Sequence, residues 1–294
     1  MMQNYLQKIV KTLCEIQPPR NFKNPKSLNF IADFLANEWE EMGFQNIERQ
    51  VFEVALRADL TVPYQNVIAK YNAKNETSLP ILVAGAHYDV FGNFQGADDN
   101  ASAVAGLMGL AKLIQERQPK LPFQVHFVAF TLEEPPFFAT EQMGSFIHAK
   151  SCKIENKNII GMINFEMIGY YSDLPNSQGF PLSFLKWFYP TTGNFITVAS
   201  NFASLSFAKK FKKAFAKNTD LPIELFVAPQ RFGGLDFSDH RNYWAMNYPA
   251  IMITDTSFFR NPNYHTAKDT PNTLNYEKME KVVEGTYSVV CGGF

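Results

Sequence analysis

Apolar positions along the chain recur with two periods. Residues 2–16 place Tyr5, Leu6, Ile9, Val10 and Leu13 at helical spacing, so that one face of a helix meets a core. A second helical pattern covers 26–43, beyond the breaker run "QPPRNFKNPKS". The pattern then shortens into apolar runs. "IERQVFEVAL", "NVIAKYN" and "ILVAGAHYD" predict strands, "NASAVAGLMGLAKLIQER" a helix opening at about residue 100, and "FQVHFVAFTLEE" another strand. A helix around 140–150, the strand "NIIGMINFEMIG" and a Pro/Gly-rich stretch from 173 to 194 come next. Beyond them "FITVAS", "IELFVAP" and "YPAIMITDT" read as strands, and "FASLSFAKKFKKAF" as a helix. A last helix at about 275–290 puts Met279, Val282, Val283 and Tyr287 on one face. Apolar strands alternating with helices predict an α/β fold with a mixed, mainly parallel sheet covered on both sides. No repeat, low-complexity tract or long linker interrupts the pattern, so 1–294 reads as a single domain.

Composition narrows the class. Apolar residues make up 46% of the chain and 28 phenylalanines are present, enough for a sizeable core. A formal net charge of −1 with no basic stripe argues against nucleic acid and anionic membranes as partners. No apolar run approaches a membrane-spanning length. Three widely spaced cysteines, Cys14, Cys152 and Cys291, fit a reducing compartment better than a disulfide framework. With an amphipathic N-terminal helix in place of a signal sequence, a cytoplasmic protein is expected, with secretion of a trimmed precursor as the alternative.

The chemistry gathers at strand ends, where ligands sit in open α/β sheets. In "GAHYDV", His87 and Asp89 are two apart and project to one side of an extended chain. A carboxylate beside a metal-bound imidazole fixes its tautomer. "GADDNAS" adds Asp98 and Asp99 at a helix start, where Asn100 or an aspartate would equally serve as a cap. "FTLEEPP" sets Glu133 and Glu134 after an apolar strand, either two solvated acids or a metal ligand beside a general base. Glu166, in "NFEMIGY", ends a strand so apolar that its carboxylate needs a partner, a cation or a salt bridge. His265, preceded by Tyr264, lies in the polar loop "NYHTAKDTPNT". His126 reads as a packed strand residue and His148 as a surface helix residue.

Taken in order, "GAHYDV", "GADDNAS", "LEE", "NFEMIGY" and "NYHTAKDTPNTL" resemble the zinc-dependent aminopeptidases of the M28 peptidase family, across residues 85–274. The resemblance implies a three-layer α/β/α sandwich holding two zinc ions per chain. It implies metal ligation by His87, Asp99 (bridging), Glu134, Glu166 and His265. Asp89 would orient His87, Glu133 would act as general base, and Tyr264 would polarise the scissile carbonyl. The charges agree, since three carboxylates and a bridging hydroxide balance two Zn²⁺, with two neutral histidines completing an N/O set suited to zinc. The expected substrate is a peptide or small amide, and the oligomeric state is left open. The resemblance also implies that "SDH" stands close to the same site, which makes Asp239 and His240 candidate supporting or substrate-contacting residues. Arg260 is a candidate holder of a carboxylate, or else only the partner of a nearby acid. Three features depart from the family, of which Ala103 in place of glycine at a helix start is the minor one. Glu166 replaces the aspartate of its best-known aminopeptidases, which keeps a carboxypeptidase or amidohydrolase in view. The aromatic loop "EEPPFFATEQMGS" makes Phe137 and Phe138 candidate walls for an apolar substrate side chain, or mere packing. A glutaminyl cyclase with one zinc and a non-catalytic receptor-like domain are the remaining alternatives.

Overall fold

Residues 2–72 and 78–292 are described by a computed structural model. Two helices, α1 (Met2–Glu15) and α2 (Pro25–Glu41), lead into an antiparallel pair, β1 (Ile47–Arg57) and β2 (Leu60–Tyr71). Pro25 opens α2 in the first turn, where a missing N–H leaves no helical bond unmade. The chain continues through β3 (Ile81–His87), α3 (Ala103–Arg117), β4 (Gln124–Phe130), α4 (Gly144–Ile154) and β5 (Ile159–Phe165). After an irregular segment come β6 (Ile196–Ser200), α5 (Leu205–Asn218), β7 (Ile223–Val227), α6 (His240–Ala245), β8 (Ala250–Thr254) and α7 (Tyr276–Gly292).

One eight-stranded sheet runs β1-β2-β4-β3-β5-β8-β6-β7. The β3, β4, β5 and β8 centre is parallel, as is β6 with β7, while β1, β2 and the β6–β8 junction are antiparallel. Every residue of β3 and β4 is buried, which is why these strands read as mainly apolar runs, with Gln124 and His126 the polar members of β4. Helices α3, α5 and α7, with α1 and α2, cover one face around Leu6, Ile9, Leu107, Phe127, Phe165, Ile251 and Val282. On the other face α4 and α6 pack over Val83, Val128, Phe130, Met162, Tyr243 and Trp244. This is the expected three-layer α/β/α arrangement. Past α6, the same face of β8, β6 and β7 is roofed by irregular chain, and a cavity lies between roof and sheet.

The structure departs from the pattern reading in three places. The six-residue α6 is too short to carry a period. Helix α3 begins at Ala103, because Asp99 and Asn100 are non-helical in a kinked turn over 97–102. Neither Asp98 nor Asn100 caps the helix; both bond across to the segment after β5. His148 is buried, since α6 packs on α4 and Tyr243 Oη lies 2.7 Å from His148 Nδ1. His126 is buried within β4 as expected, and burial lowers its imidazole to about 3. Among the described residues, no helix is long and apolar enough to cross a membrane.

Candidate metal centre and its cavity

Parallel strands β3, β4 and β5 end side by side, so residues at or just beyond their carboxyl ends converge. His87 is the last residue of β3. Three loops turn inward through left-handed backbone at or beside a converging side chain. Leu132 (φ 59°) precedes Glu133, Met167 (φ 49°) follows Glu166, and His265 itself has φ 56°. Such non-glycine conformations cost free energy that the surrounding packing must supply, and they cluster at functional sites.

The converged groups form two overlapping clusters, His87–Asp99–Glu166 and Asp99–Glu134–His265. His87 Nε2 lies 3.5 Å from Asp99 Oδ1 and 3.5 Å from Glu166 Oε2. His265 Nε2 lies 2.9 Å from Asp99 Oδ2 and 3.5 Å from Glu134 Oε2. Asp99 therefore gives one oxygen to each cluster. Ligand atoms about 2.0–2.1 Å from a tetrahedral cation stand roughly 3.3–3.4 Å apart, so both clusters have the spacing of a donor set for one divalent ion each. Glu134 Oε1 is buried without a hydrogen-bond partner, as expected of a carboxylate whose partner is a cation. Glu133 belongs to neither cluster, yet its Oε2 is 3.7 Å from His87 Nε2.

Residues far apart in sequence hold this arrangement. Asp89 faces His87 Nδ1 at 3.4 Å and accepts the backbone N–H groups of Glu133 and Glu134, each at 3.1 Å. Asp269 accepts those of Asp98 and Asp99 at 2.9 and 3.1 Å. Glu166 Oε2 accepts from Ser238 Oγ at 2.5 Å and Asn100 Nδ2 at 3.2 Å, and Asn164 Nδ2 donates to Ser238 Oγ. The His265 ring is sandwiched between Phe91 (3.9 Å) and Tyr264 (3.8 Å). Buried Arg20 donates to the carbonyls of Tyr88, Gln95 and Gly96, and so pins the loop between His87 and Asp99. Gly96 (φ 57°) is required there, because an added Cβ would lie 2.2 Å from Asp99 O and from Val90 Cγ2. Arg20 and Phe91 lie outside the motifs, whereas Ser238 stands in "SDH" and Asp269 in "NYHTAKDTPNT", where residue type alone marks out neither.

Without cations the cluster holds protons strongly. Burial raises Glu133 well above the carboxylate range, helped by Glu134, Glu166 and Asp239 against the opposing pull of His87. Burial and the Asp99 charge take Glu134 to about 8, despite His265 and His87. Burial would lower both histidines. The Glu166 and Glu133 carboxylates nevertheless raise His87, while contacts with Asp99 and Glu134 raise His265 to about 9. Asp99 alone moves down, because its two histidine partners outweigh its burial.

The structure thus brings together His87, Asp89, Asp99, Glu133, Glu134, Glu166, Tyr264 and His265. Asp239 is fully buried behind them, its carboxyl raised to about 7, first by burial, with the Glu166 and Asp89 charges opposing the pull of His87. His240 is directed elsewhere, with Nε2 2.8 Å from the Leu235 carbonyl and its ring against Trp244. Arg260 is buried on Gln178 and the Phe195 carbonyl, so it is not presented to a substrate carboxylate. Of the two loop phenylalanines, Phe137 packs inward on Phe22 and Tyr64, while Phe138 lines the cavity.

That cavity, about 300 Å³, opens directly on the cluster: Asp99, Glu133, Glu134, Glu166, Tyr264 and His265 form one side of it. Phe180, Tyr189, Phe195, Phe226, Phe237 and Phe258 contribute its aromatic walls.

Residues 66–290 match the model of peptidase family M28. The chain is 38% identical over 293 residues to the Escherichia coli K12 protein YfbL, covering 97% of this chain and 86% of that one. Its fold is similar to that of BSAP, a zinc aminopeptidase from Bacillus subtilis, with a TM-score of 0.75 and 13% identity over 98% of this chain and 94% of that one. It is similar as well to that of a Bacteroides thetaiotaomicron glutaminyl cyclase, with a TM-score of 0.71 and 18% identity over 99% and 98% of the two chains. Identities this low speak to the fold alone.

Proposed function

This chain belongs to peptidase family M28, and on that premise we propose that residues 1–294 form a zinc-dependent exopeptidase domain, an aminopeptidase that releases N-terminal residues from peptides. The observation that carries the proposal is the pair of donor clusters sharing Asp99, with Glu133 beside His87 of the first and a cavity opening on them. His87, Asp99 and Glu166 would hold one zinc, and Asp99, Glu134 and His265 the other. Nitrogen and oxygen donors at these spacings fit zinc.

Bound zinc would supply Lewis acidity, lowering the pKa of the attacking water and polarising the scissile carbonyl. The chain's own groups do the rest. Glu133 takes the proton of the attacking water and returns it to the leaving amine. Asp89 fixes Glu133 through its backbone N–H, so the base keeps its distance from His87. The Tyr264 phenol is kept protonated by burial and by the carboxylates around it, and it donates to the developing oxyanion. Glu166, on the cavity side of the first cluster, faces the substrate's free α-amine. One methylene more than aspartate is accommodated because Ser238 and Asn100 hold the same oxygen, Oε2.

Metal analysis with turnover of three peptides tests the reading: one with a free amine, its N-acetylated form, and one beginning with glutamine. About two zincs per chain and cleavage of the free-amine peptide alone are expected. Glu133→Gln should abolish turnover with zinc content retained; an active Glu133→Gln enzyme removes the base assignment. Carboxyl-terminal cleavage of the acetylated peptide would assign a carboxypeptidase, and cyclisation of the glutamine peptide without cleavage a cyclase.

A further inference from the structure

The cavity floor is one face of the sheet's far half, and its polar residues follow the strand register. Thr254 of β8 pairs with Thr197 of β6, which pairs with Glu224 of β7. Directly paired residues project to the same face, and all three line the cavity. Glu166, whose N–H bonds to Ile253 O, stands at the head of this row. From the metal cluster the row therefore runs Glu166, Thr254, Thr197, Glu224, with Glu224 about three strand spacings, ~14 Å, from Glu166.

The far end of the row is built for a polar group. Thr197 is only 5% exposed, and its hydroxyl has no hydrogen-bond partner, an arrangement that costs free energy unless a ligand supplies the bond. Tyr189 and Phe226, with ring centroids 6.0 Å apart, form an aromatic corner beside Glu224. The Tyr189 phenol is raised by burial and then by the Glu224 charge, consistent with that proximity. No lysine or arginine is among the cavity-lining residues, whereas five of them are carboxylates: Asp99, Glu133, Glu134, Glu166 and Glu224. Lys212 Nζ reaches Glu224 Oε2 at 3.0 Å from outside the lining.

We propose that the cavity selects a substrate residue with a long apolar stem and a cationic tip, lysine or arginine, the tip being received by Glu224, Thr197 and the faces of Tyr189 and Phe226. The specificity assignment rests on the exopeptidase reading; the binding preference does not. Aromatic walls accept the stem and attract the cation. The purely apolar side chain suggested by Phe138 would leave Thr197 unpaired and a carboxylate facing methyl groups.

Isothermal calorimetry on the zinc-loaded protein with L-lysine amide and L-norleucine amide isolates the tip, because the two differ chiefly by the terminal ammonium. Lysine amide is expected to bind about tenfold tighter or more. Glu224→Gln should close that gap, and Lys212→Ala, which frees the carboxylate, should widen it. Norleucine amide binding as tightly as lysine amide, or no binding of either, would overturn the proposal. An unchanged gap in both variants would overturn it equally. Hydrolysis of lysyl and leucyl p-nitroanilides, run alongside, separates the two readings. Absence of both activities with the lysine preference intact removes the aminopeptidase assignment and keeps the cationic pocket.

Discussion

Asp89 illustrates how much a single buried carboxylate is made to hold. Its two oxygens take the N–H groups of Glu133 and Glu134 while Oδ1 faces His87 Nδ1. One side chain therefore sets the positions of a ligand from each cluster and of the candidate base. Groups that orient metal ligands change metal affinity by about 10–100-fold when removed. Asp89→Ala is expected to weaken zinc binding by that factor, read by competition with a chromogenic chelator. An affinity within threefold of the parent protein's would mean that the strand ends hold the ligands unaided. Asp99 works differently, because its role comes from position alone: each oxygen points to a different histidine.

At the scale of elements, the loop from His87 to Asp99 carries the design. It is not rigid by regular structure, yet Arg20 holds three of its carbonyls and Asn21 donates to a fourth, that of Gly92. Phe91 leaves the same loop to stack on His265. Gly96 lets the chain reverse where a side chain would meet the Asp99 carbonyl. Gly96→Ala is expected to cost about 1–3 kcal/mol of stability through left-handed strain and the clash, measured by urea denaturation of the zinc-loaded protein. A loss below a few tenths of a kcal/mol would show that the loop relaxes freely. The segment over the cavity obeys another rule: α6 packs against β8, and beyond it that face of β6 and β7 is covered by loops that include a short 3₁₀ turn, Ser183–Trp187.

For the whole molecule, two sets of buried groups oppose each other in pH. In metal-free protein His265 titrates near 9 and Glu134 near 8, both above their ordinary values. Folded chains then hold protons that unfolded chains release, so this stability is present at low pH and lost as pH rises through 8–9. On the acid side, burial lowers His126 to about 3, and His148 and His240 to about 4. Unfolded imidazoles bind protons below about 6.5, so their contribution is lost as pH falls from there toward 3–4. Chelator-treated protein should therefore lose Tm as pH rises through 8–9. Zinc should flatten the alkaline decline, since cations replace the protons, and leave the acid one. Parallel Tm–pH curves with and without zinc above pH 7 would refute the assignment of the cluster as the metal site.

How much of this was legible in the sequence follows from how local each signal is. Strands β3, β4, β5 and β8 announce themselves because burial on both faces forces mostly apolar side chains, with Gln124 and His126 in β4 and Asn164 in β5 among the buried polar exceptions. His87, Glu133, Glu134, Glu166 and His265 stand out because polar groups closing such runs need a partner. Helix α6 leaves no periodic signal because six residues hold fewer than two turns. His148 has the pattern of a surface residue because its burial depends on what α6 lays over α4. The links from Asp89 to Glu133, Asp269 to Asp99, Phe91 to His265 and Ser238 to Glu166 join residues 44 to 174 positions apart, and no periodicity encodes them. By itself the sequence determined the layered fold and the chemical identity of the site's groups, since patterning and residue type are local properties. Only the tertiary structure decided which oxygen faces which histidine, which phenylalanine lines the cavity, and that Glu224 and Thr197 lie in line with Glu166. Those depend on strand order and register, which long-range packing sets.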